Sequence, residues 1–497
     1  MTTEGLLLLG PLLCIALGGL AMMLVDAFAE RDAELSIVTT VIFLSAGGLS
    51  LGLWFRGEAS PPDMVAAYLA TDRLALFVDL VVCGGSAVAA MLAGGYLREH
   101  RIERGDFYVL MLFSAFGAMA LARAMDLLSL YVALETMSLG AYGLVAYRRH
   151  SPRAAEGALK YFLLGAFASA VLLYGMALLY GATGQTYLPA IGLAVAEGQA
   201  DPSLLLLALL LMVVGLAFKV SAVPFHAWTP DAYEGAVTPA TTFMAVVVKA
   251  AAIGAIVRVF FLALGDGDLA NPETGWPRAV AGRAVATMVV GNLAAVVQKS
   301  VKRMLAYSSI AHAGFLLMGI AAASQAGAEN LAAVLYYLLA YAVSNSLAFG
   351  ALILVGSRGK EAVSYEDLAG VGRRHPWVAG PLALGVLSLM GLPPTAGFFG
   401  KYYVILAAVT AGGGRVWVAV VAVLSSAIGA YYYLRVIVYL FMRVPEEGAP
   451  VAVPMRSGFV MTALILTGYF VLRMGIAPDA YLGLALEAAR ELAALGA

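Results

Sequence analysis

Histidine and cysteine are scarce in this chain, with five and two among 497 residues. Cys14 and Cys83 both fall in apolar runs with no second thiol nearby in sequence. They read as small buried hydrophobes, and not as disulfide, zinc or iron–sulfur ligands. A Gly-rich dinucleotide fingerprint is missing, as is a P-loop, so no recognisable motif binds NADH, flavin or ATP. The chain is expected to hold no cofactor and no metal of its own, and any redox chemistry belongs to another chain. Charge is also scarce: 12% of residues are Asp, Glu, Lys or Arg, against about 25% in soluble domains. A net charge of −1 gives no reason to expect nucleic acid or an acidic surface partner.

What is abundant is apolar length. Hydrophobic residues make up 62% of the chain, and about 20 consecutive apolar residues span a bilayer. The expected fold class is an all-α polytopic membrane protein embedded in the lipid bilayer. About fourteen transmembrane helices are read over 5–25, 35–54, 74–94, 107–122, 127–147, 158–180, 204–223, 239–264, 284–297, 304–323, 331–355, 378–409, 416–441 and 459–473. The first run lacks a positive leading region and exceeds the ~7–15 apolar residues of a secretory signal, so it is expected to be retained despite Ala27-Phe28-Ala29. The run 378–409 is too long for one crossing and carries Pro393-Pro394, so it is expected to be a broken helix. Residues 481–495 read as a short amphipathic helix at the interface.

Orientation follows from Lys and Arg, which favour cytoplasmic loops. With the N-terminus outside, the inner loops hold Arg98, Arg101 and Arg104; Arg148, Arg149 and Arg153; Lys299, Lys302 and Arg303; and Arg358, Lys360, Arg373 and Arg374. The loop 181–201 has neither Lys nor Arg. An even number of crossings then places both termini on the outer side.

Four ionisable residues lie inside the apolar runs: Glu135, Lys219, Lys249 and Lys401. A charge at mid-membrane costs roughly 2.5–3.5 kcal/mol on insertion scales, so such groups usually face a protein interior and carry ions or protons. Burial lowers a lysine's pKa and a carboxylate raises it, which makes a lysine beside an acid a switchable proton site. Glu135 is the only carboxylate in the middle of a span and the natural partner of Lys219. Pro224 follows Lys219, and Pro393-Pro394 precede Lys401, each within about two helical turns. A proline frees a carbonyl, and such irregular backbone is tolerated in membranes where it is buried in protein or lines a wet cavity.

Paired breaks of this kind also point to inverted repeats. The expected organisation is residues 1–106 as three N-terminal helices, 107–264 and 284–441 as two inverted five-helix repeats, and 455–497 as the last crossing with its tail. His312 is roughly mid-span, has a reference pKa of about 6.5, and can relay protons between Lys249 and Lys401. His226 lies at the membrane edge, where it either anchors a loop or admits protons. Lys302 and Arg303, at a helix start, read most simply as positive-inside anchors, although Lys302 stays an accessory candidate. His100, His150 and His375 read as solvated loop residues, and Tyr431-Tyr432-Tyr433 as packing.

The segments KVSAVPFHAWTPDAYEGAVTPATTFMAVVVKAA, QKSVKRMLAYSSIAHAGF and GLPPTAGFFGKYYV resemble the antiporter-like, proton-translocating subunits of complex I and of related cation/proton antiporters. The resemblance runs over about 107–441 and its motifs are long and specific. It implies that Glu135 and Lys219 form the uptake pair, Lys249 the central site and Lys401 the terminal site. It also implies other complex I membrane subunits as partners in a hetero-oligomer, with NADH, flavin, iron–sulfur clusters and quinone held by other subunits. The implied setting is a bacterial inner membrane, the implied activity that of a proton-pumping NADH:quinone oxidoreductase. Lys401 stands where one branch of the family carries glutamate, and no long lateral helix follows the fourteenth span as in another branch. Val237 departs from the family's pattern, which has proline there. A cation/proton antiporter subunit is the alternative, and a spacer whose lysines merely pair is a third reading.

Overall fold

The computed structural model describes residues 7–28, 34–57, 63–265, 267–357, 360–361, 363–412, 415–445 and 454–495. Gly5, Ala29 and Arg358, which the sequence reading used, lie outside them. Thirteen helices are long and apolar enough to cross a membrane. In chain order we name α1 Gly10–Phe28, α2 Leu35–Arg56, α3 Arg73–Glu99, α4 Gly105–Arg123, α5 Leu127–Val145, α6 Pro152–Thr183 and α7 Pro202–Lys219. The short α8, Trp228–Gly235, follows. Then come α9 Thr238–Ala263 and α10 Trp276–Val296, α11 Val301–Ala326 and α12 Ala328–Leu354. The half-length α13 Pro376–Met390 and α14 Ala396–Thr410 precede α15 Val416–Phe441, α16 Gly458–Ile476 and α17 Asp479–Leu495. Counting α13 and α14 as one interrupted crossing, the fourteen expected spans are all present. A hairpin of two short strands, Gly356–Ser357 and Lys360–Glu361, follows α12.

The helix starts have local causes. Asp72, Asp126, Ser151, Asp201, Ser300 and Ser457 each accept a backbone N–H of the first turn, and Pro152 and Pro202 sit where no intrahelical donor is needed. Helices α4 and α5 touch through glycine. A Cβ on Gly117 would stand 2.3 Å from the Met137 nitrogen, and one on Gly140 would stand 2.8 Å from the Leu110 oxygen. Without a hydrophobic drive between helices in lipid, such small residues let backbones close to van der Waals contact.

Burial sorts the helices. α9, α11 and α12 are almost wholly enclosed, whereas α6 and α15 are mostly uncovered and expose Phe162, Phe167, Tyr174, Trp417, Leu424 and Tyr431. Large apolar side chains turned outward on a polytopic chain are the lipid-facing surface. The three enclosed helices form the axis of the molecule.

Two interruptions reach that axis. α7 ends at Lys219, the chain turns through Ser221 (φ 62°) and a cis Val223–Pro224 bond, and α8 begins at Trp228. α13 ends at Met390, the chain turns through Gly391 (φ 91°) and a cis Pro393–Pro394 bond, and α14 begins at Ala396. The second break is closed by a tight contact, because a Cβ on Gly397 would fall 1.8 Å from the Ser388 oxygen. Gly397→Ala should therefore displace α14 and with it Lys401. The expected result is a lower unfolding temperature in detergent, and an unchanged one would contradict this packing.

Val237 has φ −62° and ψ 140° just before α9. Those are dihedrals a proline would adopt, so the departure at this position leaves the turn as the family's proline would shape it.

Candidate functional site

Lys219 is the last residue of α7, where the helix dipole favours a cation. Its buried Nζ donates to Ser138 Oγ at 2.7 Å, and it lies 5.5, 5.6 and 5.8 Å from the ring centres of Tyr142, Phe218 and Tyr161. Tyr161 in turn stacks on Trp228 at 4.1 Å. Glu135 is on the same helix as Ser138, one turn away. It is close enough to act electrostatically on Lys219. Among the described residues, however, no carboxylate stands within 4.0 Å of the ammonium. Glu135 Oε1 and the hydroxyls of Tyr142 and Tyr161 are buried with no hydrogen-bond partner among the described residues. Glu135 and Lys219 are thus neighbours but not a closed ion pair.

Lys249 follows a π-helical turn, Met244–Val248, in α9, an irregularity frequent at functional sites. Its buried Nζ donates to the Ser309 carbonyl at 2.6 Å, to Ser309 Oγ at 2.5 Å and to Tyr341 Oη at 3.3 Å. Ser309 and Tyr341 also bond each other at 2.8 Å. One turn along α11 from Ser309 sits His312. Its Nδ1 is 2.5 Å from Tyr337 Oη and its Nε2 is 3.1 Å from Tyr433 Oη. Tyr433 is further bonded to Ser308, and Tyr432 donates to Asn292 Oδ1 at 2.9 Å.

Lys401, on α14, reaches back across the second break and donates to the Met390 carbonyl at 3.0 Å. In an unbroken helix that carbonyl would accept from residue 394, which is proline and has no N–H. The break therefore creates the acceptor that the lysine uses. Its Nζ also lies 5.2 Å from the Phe315 ring, one turn from His312. Both Lys249 and Lys401 act electrostatically on His312.

The sequence-derived candidates thus fall into two groups. Glu135 and Lys219 lie beside the first break, containing Pro224. Lys249, His312 and Lys401 form a string that ends at the second break, containing Pro393. His226 stands apart: its Nδ1 is buried with no partner among the described residues, and no hydrogen bond joins it to a lysine. Lys302, read as a positive-inside anchor, is not held out toward water. It is fully buried, with Nζ donating to the Ala236 carbonyl at 2.6 Å and lying 3.4 Å from Glu361 Oε2. Helix α8 and the following turn cover it, so its position at a helix start did not leave it in water. Tyr433 is likewise a partner of His312 and not mere packing, and His100 stacks on Tyr96 at 4.0 Å instead of standing free.

Ser138, Ser309, Tyr337, Tyr341 and Glu361 were missed from the sequence. The spacing of Tyr337 and Tyr341, four apart on one helix, was the available signal that both face the same way. Asp79 was missed too. It lies inside α3, fully buried, and accepts from the equally buried Arg123 and from Ser50.

At the arginine-rich end, Asp231 accepts from Lys160 and from Arg303, both at 2.6 Å, and stitches α6, α8 and α11 together. Burial pushes its carboxyl up, but these two donors outweigh burial and hold it below the usual carboxylate range. A depressed carboxylate contributes stability above its unfolded pKa, and that stability is lost as pH falls through the lower folded value. Asp231→Asn should therefore lower the unfolding temperature in detergent at about pH 7, with the difference from wild type shrinking below about pH 4. An equal difference at both pH values would rule out the ion cluster as its source.

The family described as "NADH:quinone oxidoreductase/Mrp antiporter, TM" matches residues 124–429. The chain is 54% identical over 495 residues to NADH-quinone oxidoreductase subunit N 1 of Sorangium cellulosum (strain So ce56), covering 96% of this chain and 97% of that one. It is 41% identical over 504 residues to NADH-quinone oxidoreductase subunit N of Myxococcus xanthus (strain DK1622), covering 95% of each. Among solved structures, respiratory complex I from Thermus thermophilus with bound Aureothin contains a chain that superposes with a TM-score of 0.80 at 36% identity, covering 96% of this chain and 99% of that one.

Proposed function

This chain belongs to the NADH:quinone oxidoreductase/Mrp antiporter transmembrane family, and we propose that Glu135, Lys219, Lys249, His312 and Lys401 are its proton pathway. The protein is a proton-translocating membrane subunit of NADH:quinone oxidoreductase, a multi-pass member of a hetero-oligomer with other membrane subunits, and has no redox centre of its own. The antiporter reading has less support, because the relatives matched end to end at 54% and 41% identity are subunit N.

The single observation that carries the pathway is the string of contacts Lys249–Ser309–Tyr341 and Tyr337–His312–Tyr433, which joins the enclosed helices α9, α11 and α12 to Tyr433 on α15. Lysine, histidine and hydroxyl groups in such a string can pass a proton by exchanging donor and acceptor roles. A spacer would need only the paired charges, and Lys249 has no acidic partner among the described residues. Lys219 and Glu135 form no closed ion pair among the described residues, so either can change protonation without breaking one.

In this reading the first break serves Glu135 and Lys219, the second break serves the Lys401 end of the string, and the two units 107–264 and 284–441 are inverted repeats. NADH, flavin, iron–sulfur clusters and quinone are bound by other subunits. The arginine-rich end faces the cytoplasm of a bacterial inner membrane and both termini face outward.

Glu135→Gln keeps the shape and removes the titration. The expected result is a parallel fall in quinone reduction and in proton pumping by fully assembled enzyme, with Glu135→Asp retaining most of both. Wild-type pumping in Glu135→Gln would remove this residue from the pathway.

A further inference from the structure

The carboxylate of Glu361 ends the hairpin that follows α12, at the arginine-rich end. Its side chain is 20% exposed, while the Lys302 side chain beneath it is 0% exposed. Glu361 Oε1 accepts from Thr238 Oγ1 and from Tyr96 Oη, both at 2.6 Å, and Oε2 faces Lys302. His100 acts on it electrostatically, as Glu234 and Arg148 act on Lys302. Burial pushes the Glu361 carboxyl up, but Lys302 and the two hydroxyl donors outweigh it and hold the group below the usual range. Lys302 and the hydroxyl donors favour the ionised form, so the resting group is a proton acceptor.

Thr238 is also the first residue of α9, and Lys249 lies ~16 Å further along that helix. Only the first turn of that interval is polar, and residues 243–248 are apolar. Thr242 and Thr241 follow Thr238 within a turn, their hydroxyls bonded to the backbone carbonyls of Thr238 and Tyr233. Beyond them, on α12, Asn345 has both Oδ1 and Nδ2 buried with no hydrogen-bond partner among the described residues. An amide buried in that way is ordinarily satisfied by water. Asn345 is one turn from Tyr341, which holds Lys249 together with Ser309. The π-helical turn Met244–Val248 of α9 lies against α12 at this level.

We propose that Glu361 is the proton-loading group of a cytoplasmic route to Lys249, running between α9 and α12 past Asn345. The carboxylate takes a proton from cytoplasmic water to become the acid. It then returns to carboxylate as a water-borne proton passes Asn345 and Tyr341 and converts the neutral Lys249 amine to ammonium. This rests on Lys249 being the central proton site and on the arginine-rich end facing the cytoplasm.

The test uses the whole purified complex with Glu361→Gln, Glu361→Asp, Asn345→Leu and Lys249→Ala, at equal assembled amounts. Glu361→Gln keeps an acceptor for Thr238 and Tyr96, and Asn345→Leu replaces an amide without a hydrogen-bond partner among the described residues by an apolar group of similar size. Quinone reduction should fall about fivefold or more in both, and Glu361→Asp should keep over about half of it. Formate, a small diffusible acid, should restore most of the lost rate in Glu361→Gln and leave wild type unchanged. A structural defect would not respond to formate, so loss without rescue overturns the proposal, as do wild-type rates in Glu361→Gln or Asn345→Leu. Wild-type rates in Lys249→Ala would instead overturn the reading of the central site.

Discussion

Lys249→Ala should lower quinone reduction and proton pumping together, by at least about tenfold, since a positioned proton-transfer group contributes about 10²–10⁴-fold. The two fall in step because a coupled pump cannot complete its redox step while its central site cannot cycle. The geometry separates this from a loss of structure. Ser309 and Tyr341 already bond each other at 2.8 Å, so removing the ammonium leaves them partnered. It also removes a buried charge with no acidic partner among the described residues, and such a charge is costly to keep in an apolar interior. The variant enzyme should therefore assemble normally and unfold no earlier than wild type. Lys249→Arg should not rescue, because arginine keeps its proton (pKa above roughly 12) and cannot hand it on. The measurements are quinone reductase activity and ΔpH formation in vesicles with matched amounts of enzyme. Wild-type values for both substitutions would make this lysine structural.

Arg123→Met should have the largest effect on stability. Arg123 and Asp79 are both fully buried and bonded to each other, with Ser50 donating to the carboxylate and Arg123 donating to the Leu8 carbonyl. Removing one partner of such a pair leaves an uncompensated charge and costs about 3–5 kcal/mol. Replacing both by apolar residues of similar size is often neutral or stabilising. The expected result is poor assembly and early unfolding for Arg123→Met, largely reversed in Arg123→Met with Asp79→Leu. A single variant as stable as wild type would show that α2, α3 and α4 are held by other contacts. The Arg258–Asp72 pair, also buried, ties α9 to the start of α3. It gives the same test at the other end of the helix that carries Lys249.

Much of the fold was legible along the chain. Crossing a bilayer forces backbone hydrogen bonds inside each segment, so apolar length alone marks the helices, and all fourteen spans recur, though α6 and α10 begin at Pro152 and Trp276, ahead of the expected 158 and 284. Proline has no N–H, so Pro224 and Pro393-Pro394 mark the breaks with equal directness. The cost of a charge in hydrocarbon singled out Glu135, Lys219, Lys249 and Lys401 without reference to any partner. These are local properties, and the sequence determines them by itself. Which groups answer those charges was decided only by packing. Ser138, Ser309 and Tyr341 are ordinary in an apolar run, and nothing along the chain distinguishes them from residues bonded to their own helix. Their role depends on which face of one helix meets which face of another, at separations of 81, 60 and 92 residues from the lysines they serve. Lys302 makes the same point from a helix start. Its charge read as a positive-inside anchor, and the tertiary structure buried it beneath Glu361.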